Sequence, residues 1–290
     1  MKKLTSNILL LTAAMIWGCA FVAQRAGMAY VGPWTFTCLR SLIGGITLLI
    51  LSPVFRKSGI AGQNADTQTL WKGGLLCGLV LTCASMSQQA GIQYTTAGKA
   101  GFITALYVII VPLFSIIIGK KVSSRIWIPV FLALTGFWLM SIREGFTLGK
   151  GDGLVLISAL LYAVHILVID HFSPLVNGVS MSCIQFFVAG ILCFVPMLVF
   201  EHPQISSIMA AAVPILYAGV LSSGIAYTFQ ILGQRGAEPA VATLLLSLES
   251  VFSLLAGFLL LHEQLAVREL IGCVLVFAAI LLAQMPEKEK

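Results

Sequence analysis

Long apolar runs separated by short polar links form the pattern of this chain. The runs lie near residues 6–25, 34–53, 71–92, 98–118, 126–142, 153–171, 180–200, 211–233, 239–261 and 267–284. A bilayer core about 30 Å thick is crossed by about 20 residues of helix, so each run predicts one membrane span. The longest link, Arg56–Leu70, carries the turn-forming pieces Ser58-Gly59 and Gly62-Gln63-Asn64, and no link is large enough for a domain outside the membrane. The expectation is an all-α integral membrane protein with ten transmembrane helices.

The ten runs also read as five runs, twice. Thr12-Ala-Ala-Met-Ile-Trp17 aligns with Ile157-Ser-Ala-Leu-Leu-Tyr162 about 145 positions later, and the same offset pairs Cys38 with Cys183, Arg40 with Gln185 and Gly45 with Gly190. Near an offset of about 141, Gly78 meets Gly219, Gln89 meets Gln230 and Gln93 meets Gln234. At about 142, Ala100 meets Ala242, Leu106 meets Leu248 and Leu113 meets Leu255. The shared order predicts two five-helix repeats, 5–142 and 152–284, joined by the polar, Gly-rich link Arg143–Asp152. Five is odd, so the second repeat must enter the bilayer upside down, an architecture of secondary transporters.

Composition agrees with the pattern: of 290 residues, 59% are hydrophobic and only 10% charged, which excludes a soluble domain. The first run follows Lys2-Lys3 as a signal peptide would. It is long, however, reaches Gln24-Arg25 without a small-x-small cleavage site, and has a counterpart in the second half, so a retained helix is expected. Charge then orients the spans. The amino terminus, alternate loops and carboxyl terminus hold Lys2, Lys3, Arg56, Lys57, Lys72, Lys120, Lys121, Arg125, Arg235, Lys288 and Lys290, against Arg25, Lys99, Arg143, Lys150 and Arg268 on the other side. Positive residues favour the cytoplasm, which predicts a multi-pass protein of the cell membrane with both termini cytoplasmic. The net charge of +6 reflects topology and attraction to anionic lipid rather than nucleic-acid binding. All seven cysteines fall inside expected helices without a Cys-x-x-Cys pair, and read as small packing residues.

Fragments of enzyme motifs fail on inspection. Gly145-Phe-Thr-Leu-Gly-Lys-Gly151 is one residue short of a phosphate loop, lacks the following Ser/Thr and joins two membrane helices. His262-Glu263-Gln-Leu-Ala266 has Ala where a zinc-protease helix needs its second ligand. Gly149-Lys-Gly-Asp152 lacks the second membrane Asp that aspartyl proteolysis requires, since Asp66 and Asp170 lie in a link or at a helix end. No cofactor and no metal are expected.

Several segments resemble the EamA-type drug/metabolite transporters. Ala13-Ala-Met-Ile-Trp17-Gly18 is similar to the family's first helix, Arg40 stands where its second helix often carries Arg, and Leu245–Phe252 through Leu259–Glu263 resembles its ninth helix and acidic end. Ser250 departs from an expected Pro, and the first half has Val108 at that place with Pro112 one turn later. The resemblance implies a ten-helix secondary transporter, not an enzyme; the expectation is that it moves a small organic metabolite, such as an amino acid or drug-like solute, outward by alternating access. The alternative is an intramembrane enzyme or a membrane-embedded binding or scaffold protein.

Polar groups inside a bilayer are costly and tend to face the bundle interior or a water-filled path. Glu249 lies mid-helix, and its repeat mate is Tyr107, so a two-fold relation would bring the two together; Thr104 shares the Tyr107 face. Glu249 is the candidate for proton coupling, with facilitated diffusion or exchange as the alternative. Arg40, with its mate Gln185, and His165, with its mate Ala20, are the other central polar candidates. Met86–Gln89–Gln93 and Tyr227–Gln230–Gln234 each mark one helix face and are expected to line opposite gates or to form interhelical hydrogen bonds. Trp17 and Gln24 share a face as an aromatic wall, and Lys99 is expected to anchor at the interface. Expected partners are a small organic substrate, the lipid bilayer and protons, with no nucleic acid. The Gly74/Gly78 and Gly219/Ser223 spacings permit close helix approach without specifying an oligomer.

Overall fold

The computed structural model describes residues 3–57, 66–95, 97–141, 149–261 and 266–284; residues 142–148 of the central link and His262-Glu263 lie outside the described residues. A backbone surrounded by hydrocarbon must satisfy its own hydrogen bonds, and every expected run is helical. The helices are α1 (Lys3–Gly27), α2 (Pro33–Lys57), α3 (Thr67–Ile92), α4 (Ala97–Ala105 continuing as Tyr107–Ile117), α5 (Trp127–Ser141, entered through a 3₁₀ turn at Ser124–Ile126) and α6 (Lys150–Phe172). There follow α7 (Gly178–Pro196, ending in a π turn at Met197–Glu201), α8 (Ala212–Leu216, a π segment Tyr217–Ala226, then Tyr227–Gln234), α9 (Pro239–Leu246 and Glu249–Leu261) and α10 (Val267–Gln284). Among the described residues, nine helices are long and apolar enough to cross a membrane, and Ser124–Met140 is a shorter apolar helix. A further short helix, Ile205–Ala210, precedes α8.

The surface is apolar. Ile117, Val213, Ile50 and Phe200 are among many large apolar side chains exposed, as a lipid-facing surface requires, while Arg40, Gln185, His165 and Glu249 are buried. Helix ends are closed by nearby polar groups. Asp66 accepts from the N–H groups of Gln68 and Thr69 at 3.2 and 3.1 Å, which hold its carboxyl below the ordinary range. Asn177 accepts from Ser180 N at 3.0 Å at the start of α7. Glu201 reaches across from the end of α7 to cap α2, accepting from Trp34 N at 2.8 Å and from Thr35 N at 2.7 Å.

Contacts between the halves come in exchanged pairs. Cys38 Sγ donates to Gly190 O at 3.4 Å, and its repeat mate Cys183 donates to Gly45 O, the mate of Gly190, at 3.6 Å. A Cβ on Gly78 would stand 2.6 Å from Val188 Cβ and 3.0 Å from Gln185 O; one on Gly219 would stand 2.6 Å from Ile43 Cγ2 and 3.2 Å from Arg40 O. Ile43 and Arg40 sit 145 positions before Val188 and Gln185. A contact whose two sides swap when the halves swap is what a two-fold relation produces. The wider packing follows: α3 lies on α6 and α7 as α8 lies on α1 and α2, while α2 meets α7 and α5 meets α10.

Both α4 and α9 are interrupted at matched positions. Leu106 N bonds Ile103 O at 3.2 Å, and Leu248 N bonds Leu245 O at 3.3 Å, each a tightened 3₁₀-type turn. The absent Pro at 250 therefore does not remove the irregularity in α9; Ser250 instead ties its Oγ to Gly101 O of α4 at 3.0 Å.

Candidate functional site

The two interruptions place Tyr107 and Glu249 as the first residues of the following helical segments. There Tyr107 Oη donates to Glu249 Oε1 at 3.0 Å, and both residues are buried. The pair borders a small central cavity of about 40 Å³, room for only a few waters.

Eight of the residues the sequence points to line this cavity: Trp17 and Gln24 of α1, Arg40 of α2, Thr104 and Tyr107 of α4, Tyr227 and Gln230 of α8, and Glu249 of α9. Gln89, His165 and Gln185 are not among its lining residues. His165 Nε2 meets Gln185 Oε1 at 3.1 Å, and the His165 ring stands edge-on to Tyr227 with centroids 6.0 Å apart, so the pair backs the Tyr227 wall. Gln89 is fully buried, with neither amide atom bonded among the described residues. Gln93 is exposed and Gln234 donates to Ile166 O at 3.2 Å. Of the two glutamine series, only Gln230 and its neighbour Tyr227 reach the cavity.

Other lining residues were not singled out. Gln88, the neighbour of Gln89, donates through Nε2 to Thr104 Oγ1 at 3.0 Å and accepts from Tyr162 Oη at 3.3 Å. Tyr227 Oη donates to Tyr162 Oη at 3.4 Å, extending the chain across the cavity. Tyr162 is the repeat mate of Trp17, a signal present in the sequence. Which glutamine of the Gln88-Gln89 pair faces inward depends on helix rotation. Trp17 and Tyr227 pack edge to face with centroids 4.6 Å apart. Trp17 Nε1, Gln24 Oε1 and Gln230 Oε1 are buried with no hydrogen-bond partner among the described residues, and such groups call for a bound partner. Nor does any hydrogen bond or ion pair among the described residues reach the buried guanidinium of Arg40. Among the described residues no three His, Cys, Asp or Glu side chains converge as a metal site.

The two ends of the bundle differ. At the carboxyl end of α1, Arg25 donates to Thr95 O. Beside it Asp152 accepts from Lys99 Nζ at 2.5 Å, from Thr95 Oγ1 at 2.7 Å and from Gly149 N at 2.8 Å. Lys99, expected as an interfacial anchor, is here the ion-pair partner of buried Asp152. At the amino end of α1 the repeat mates of Thr95, Lys99 and Asp152 are Gly236, Val241 and Asn7, and all three line an open cavity of about 600 Å³.

Apolar-surfaced helices packed around a polar, partly unsatisfied centre are what a membrane transporter requires. The sequence pattern of the EamA-like transporter family matches residues 4–142 and again 149–285; the chain belongs to this family. An "Uncharacterized transporter" of Archaeoglobus fulgidus is 28% identical over 285 residues, covering 98% of this chain and 87% of that protein. The "Uncharacterized transporter YoaV" of Bacillus subtilis is 24% identical, covering 93% and 94%. A WAT1-related chloroplastic protein of Arabidopsis thaliana is 20% identical, covering 96% and 69%. One crystal structure shares the fold with a TM-score of 0.79 at 17% identity, covering 98% of this chain and 97% of its own.

Proposed function

We propose that the protein is a secondary transporter of the cell membrane, with both termini cytoplasmic, that moves a small organic metabolite outward. Its two halves act as inverted five-helix repeats that expose the central cavity to each side in turn. The observation that carries this reading is the difference between the two ends. Thr95, Lys99 and Asp152 are bonded together, whereas their mates Gly236, Val241 and Asn7 border open space. No hydrogen bond among the described residues joins those mates, Asn7 donating instead to Gln284 at 2.8 Å. Two matched ends, one tied and one open, are the two poses an alternating-access cycle exchanges.

The charge asymmetry puts the tied end outside and the open end in the cytoplasm, where an exported solute loads. The central cavity of about 40 Å³ is far below the roughly 300 Å³ or more of a solute pocket, so binding must part the walls around it. Glu249 is the group through which protons couple to the cycle, because a buried carboxylate needs a proton, a cation or a donor in every state, and Tyr107 alone donates to it among the described residues.

Purified protein in sealed vesicles tests the reading. A solute that stabilises the protein should cross the membrane, and an imposed pH gradient should accumulate it. Absence of flux for every stabilising solute rejects transport.

A further inference from the structure

The repeat is broken in the cavity wall at Ala20 and Arg40, and the break has a chemical sense. In the second half, His165 and Gln185 face each other and bond at 3.1 Å, away from the cavity. At the matched positions of the first half stand Ala20 and Arg40, and both line the cavity. Ala20 lacks the ring that in the second half fills this space. Arg40 is longer than its mate Gln185 and always charged. It is 4% exposed and has no hydrogen-bond or ion-pair partner among the described residues. A buried cation without a partner is strongly unfavourable, whereas a guanidinium fork matched to an oxyanion is among the strongest polar contacts available.

We propose that Ala20 and Arg40 form an anion subsite that takes the carboxylate of the transported solute, a reading that rests on the transport function above. The rest of the cavity narrows the ligand. Among the described residues Arg40 is the one cationic side chain in the cavity lining, so a doubly charged phosphate would keep an unpaired negative charge there, while a single carboxylate is matched by the single guanidinium. Trp17 and Tyr227, packed edge to face at 4.6 Å, offer aromatic surface to an apolar body. The solute class is therefore a small organic monocarboxylate, with any further polar group directed to Glu249, Gln24 or Gln230.

Matched pairs of compounds test the subsite on purified full-length protein by thermal shift. Pentanoate is set against pentanamide and 3-phenylpropionate against 3-phenylpropionamide, with phenyl phosphate as the dianion. The carboxylates should stabilise the protein and the amides and phenyl phosphate should not. Arg40→Gln, which installs the side chain already tolerated at the mate position, should weaken carboxylate binding roughly tenfold or more, and Arg40→Lys should retain part of it. Ala20→Leu keeps the cation, fills the space beside it and should also remove the preference for carboxylates, so the idea stays exposed even if Arg40→Gln fails to fold. Carboxylates that stabilise no better than their amides, or that bind Arg40→Gln as tightly as the wild type, overturn the subsite. Vesicle flux separates the two readings. Carboxylate and amide carried alike would leave transport standing without the subsite. An Arg40-dependent carboxylate shift with no flux of any solute would leave the subsite standing without transport.

Discussion

Tyr107 and Glu249 occupy matched positions in the two halves and touch one another, Oη to Oε1 at 3.0 Å. Where two halves swap by a two-fold relation, a residue meets its own mate only near the axis. A phenol and a carboxylate therefore face each other at the centre of the molecule, at the interruptions of α4 and α9, and the residues on which a transport cycle would turn lie around them.

Glu249→Gln keeps the shape of that pair and removes its titration. It should abolish pH-driven accumulation while leaving insertion and thermal stability near wild type. Solute exchange that survives would assign Glu249 to proton coupling, and loss of binding would assign it to the solute. Wild-type flux with unchanged pH dependence would exclude both roles. Tyr107→Phe leaves a buried carboxyl oxygen without its donor and should cost about 1–3 kcal/mol of stability. That cost should shrink in a Glu249→Gln background, which a double-mutant cycle measures.

Close approach at the α3–α7 and α8–α2 crossings depends on Gly78 and Gly219 alike. An added Cβ would stand 2.6 Å from Val188 in one case and 2.6 Å from Ile43 in the other. Gly78→Ala and Gly219→Ala should each destabilise the protein by about 1–3 kcal/mol through overpacking. A thermal or denaturant series that finds one tolerated and the other not would show the crossings to be inequivalent.

Breaking the tie between Lys99 and Asp152 should favour the form open at that end. In a background without native cysteines, a cysteine at Gln24, which lines the cavity, should react faster with an impermeant reagent added outside once Asp152 is replaced by Asn. A tenfold change corresponds to about 1.4 kcal/mol, less than breaking a buried pair can cost. Exchanging the charges, Lys99→Asp with Asp152→Lys, should restore slow labelling. Equal rates in all three proteins would leave the pair a packing feature.

Gln89 and Gln230 share a repeat position, but only Gln230 lines the cavity. Gln230→Cys should react with a small thiol reagent and be protected by a bound solute. Gln89→Cys should stay unreactive in either condition. Labelling of both, each from one side, would instead restore the pair as opposite gates.

The sequence alone determined the helices, because the bilayer forces every apolar run of sufficient length into an internally bonded helix whatever its neighbours do. It also determined the matched positions, since Cys38 with Cys183 and Gly78 with Gly219 occupy equivalent crossings in the fold. Eight candidate residues reach the cavity because intramembrane polar groups are rare enough to be conspicuous. Tertiary structure decided what a period in sequence leaves open: the rotation of each helix and the partner across it. Rotation set Gln88 rather than Gln89 on the cavity, and packing turned His165 onto Gln185 behind the wall. Asp152, a helix and a link away from Lys99 in sequence, becomes its partner only in the folded chain. A lone polar residue in an apolar helix is satisfied by what faces it, and only the assembled bundle determines what that is.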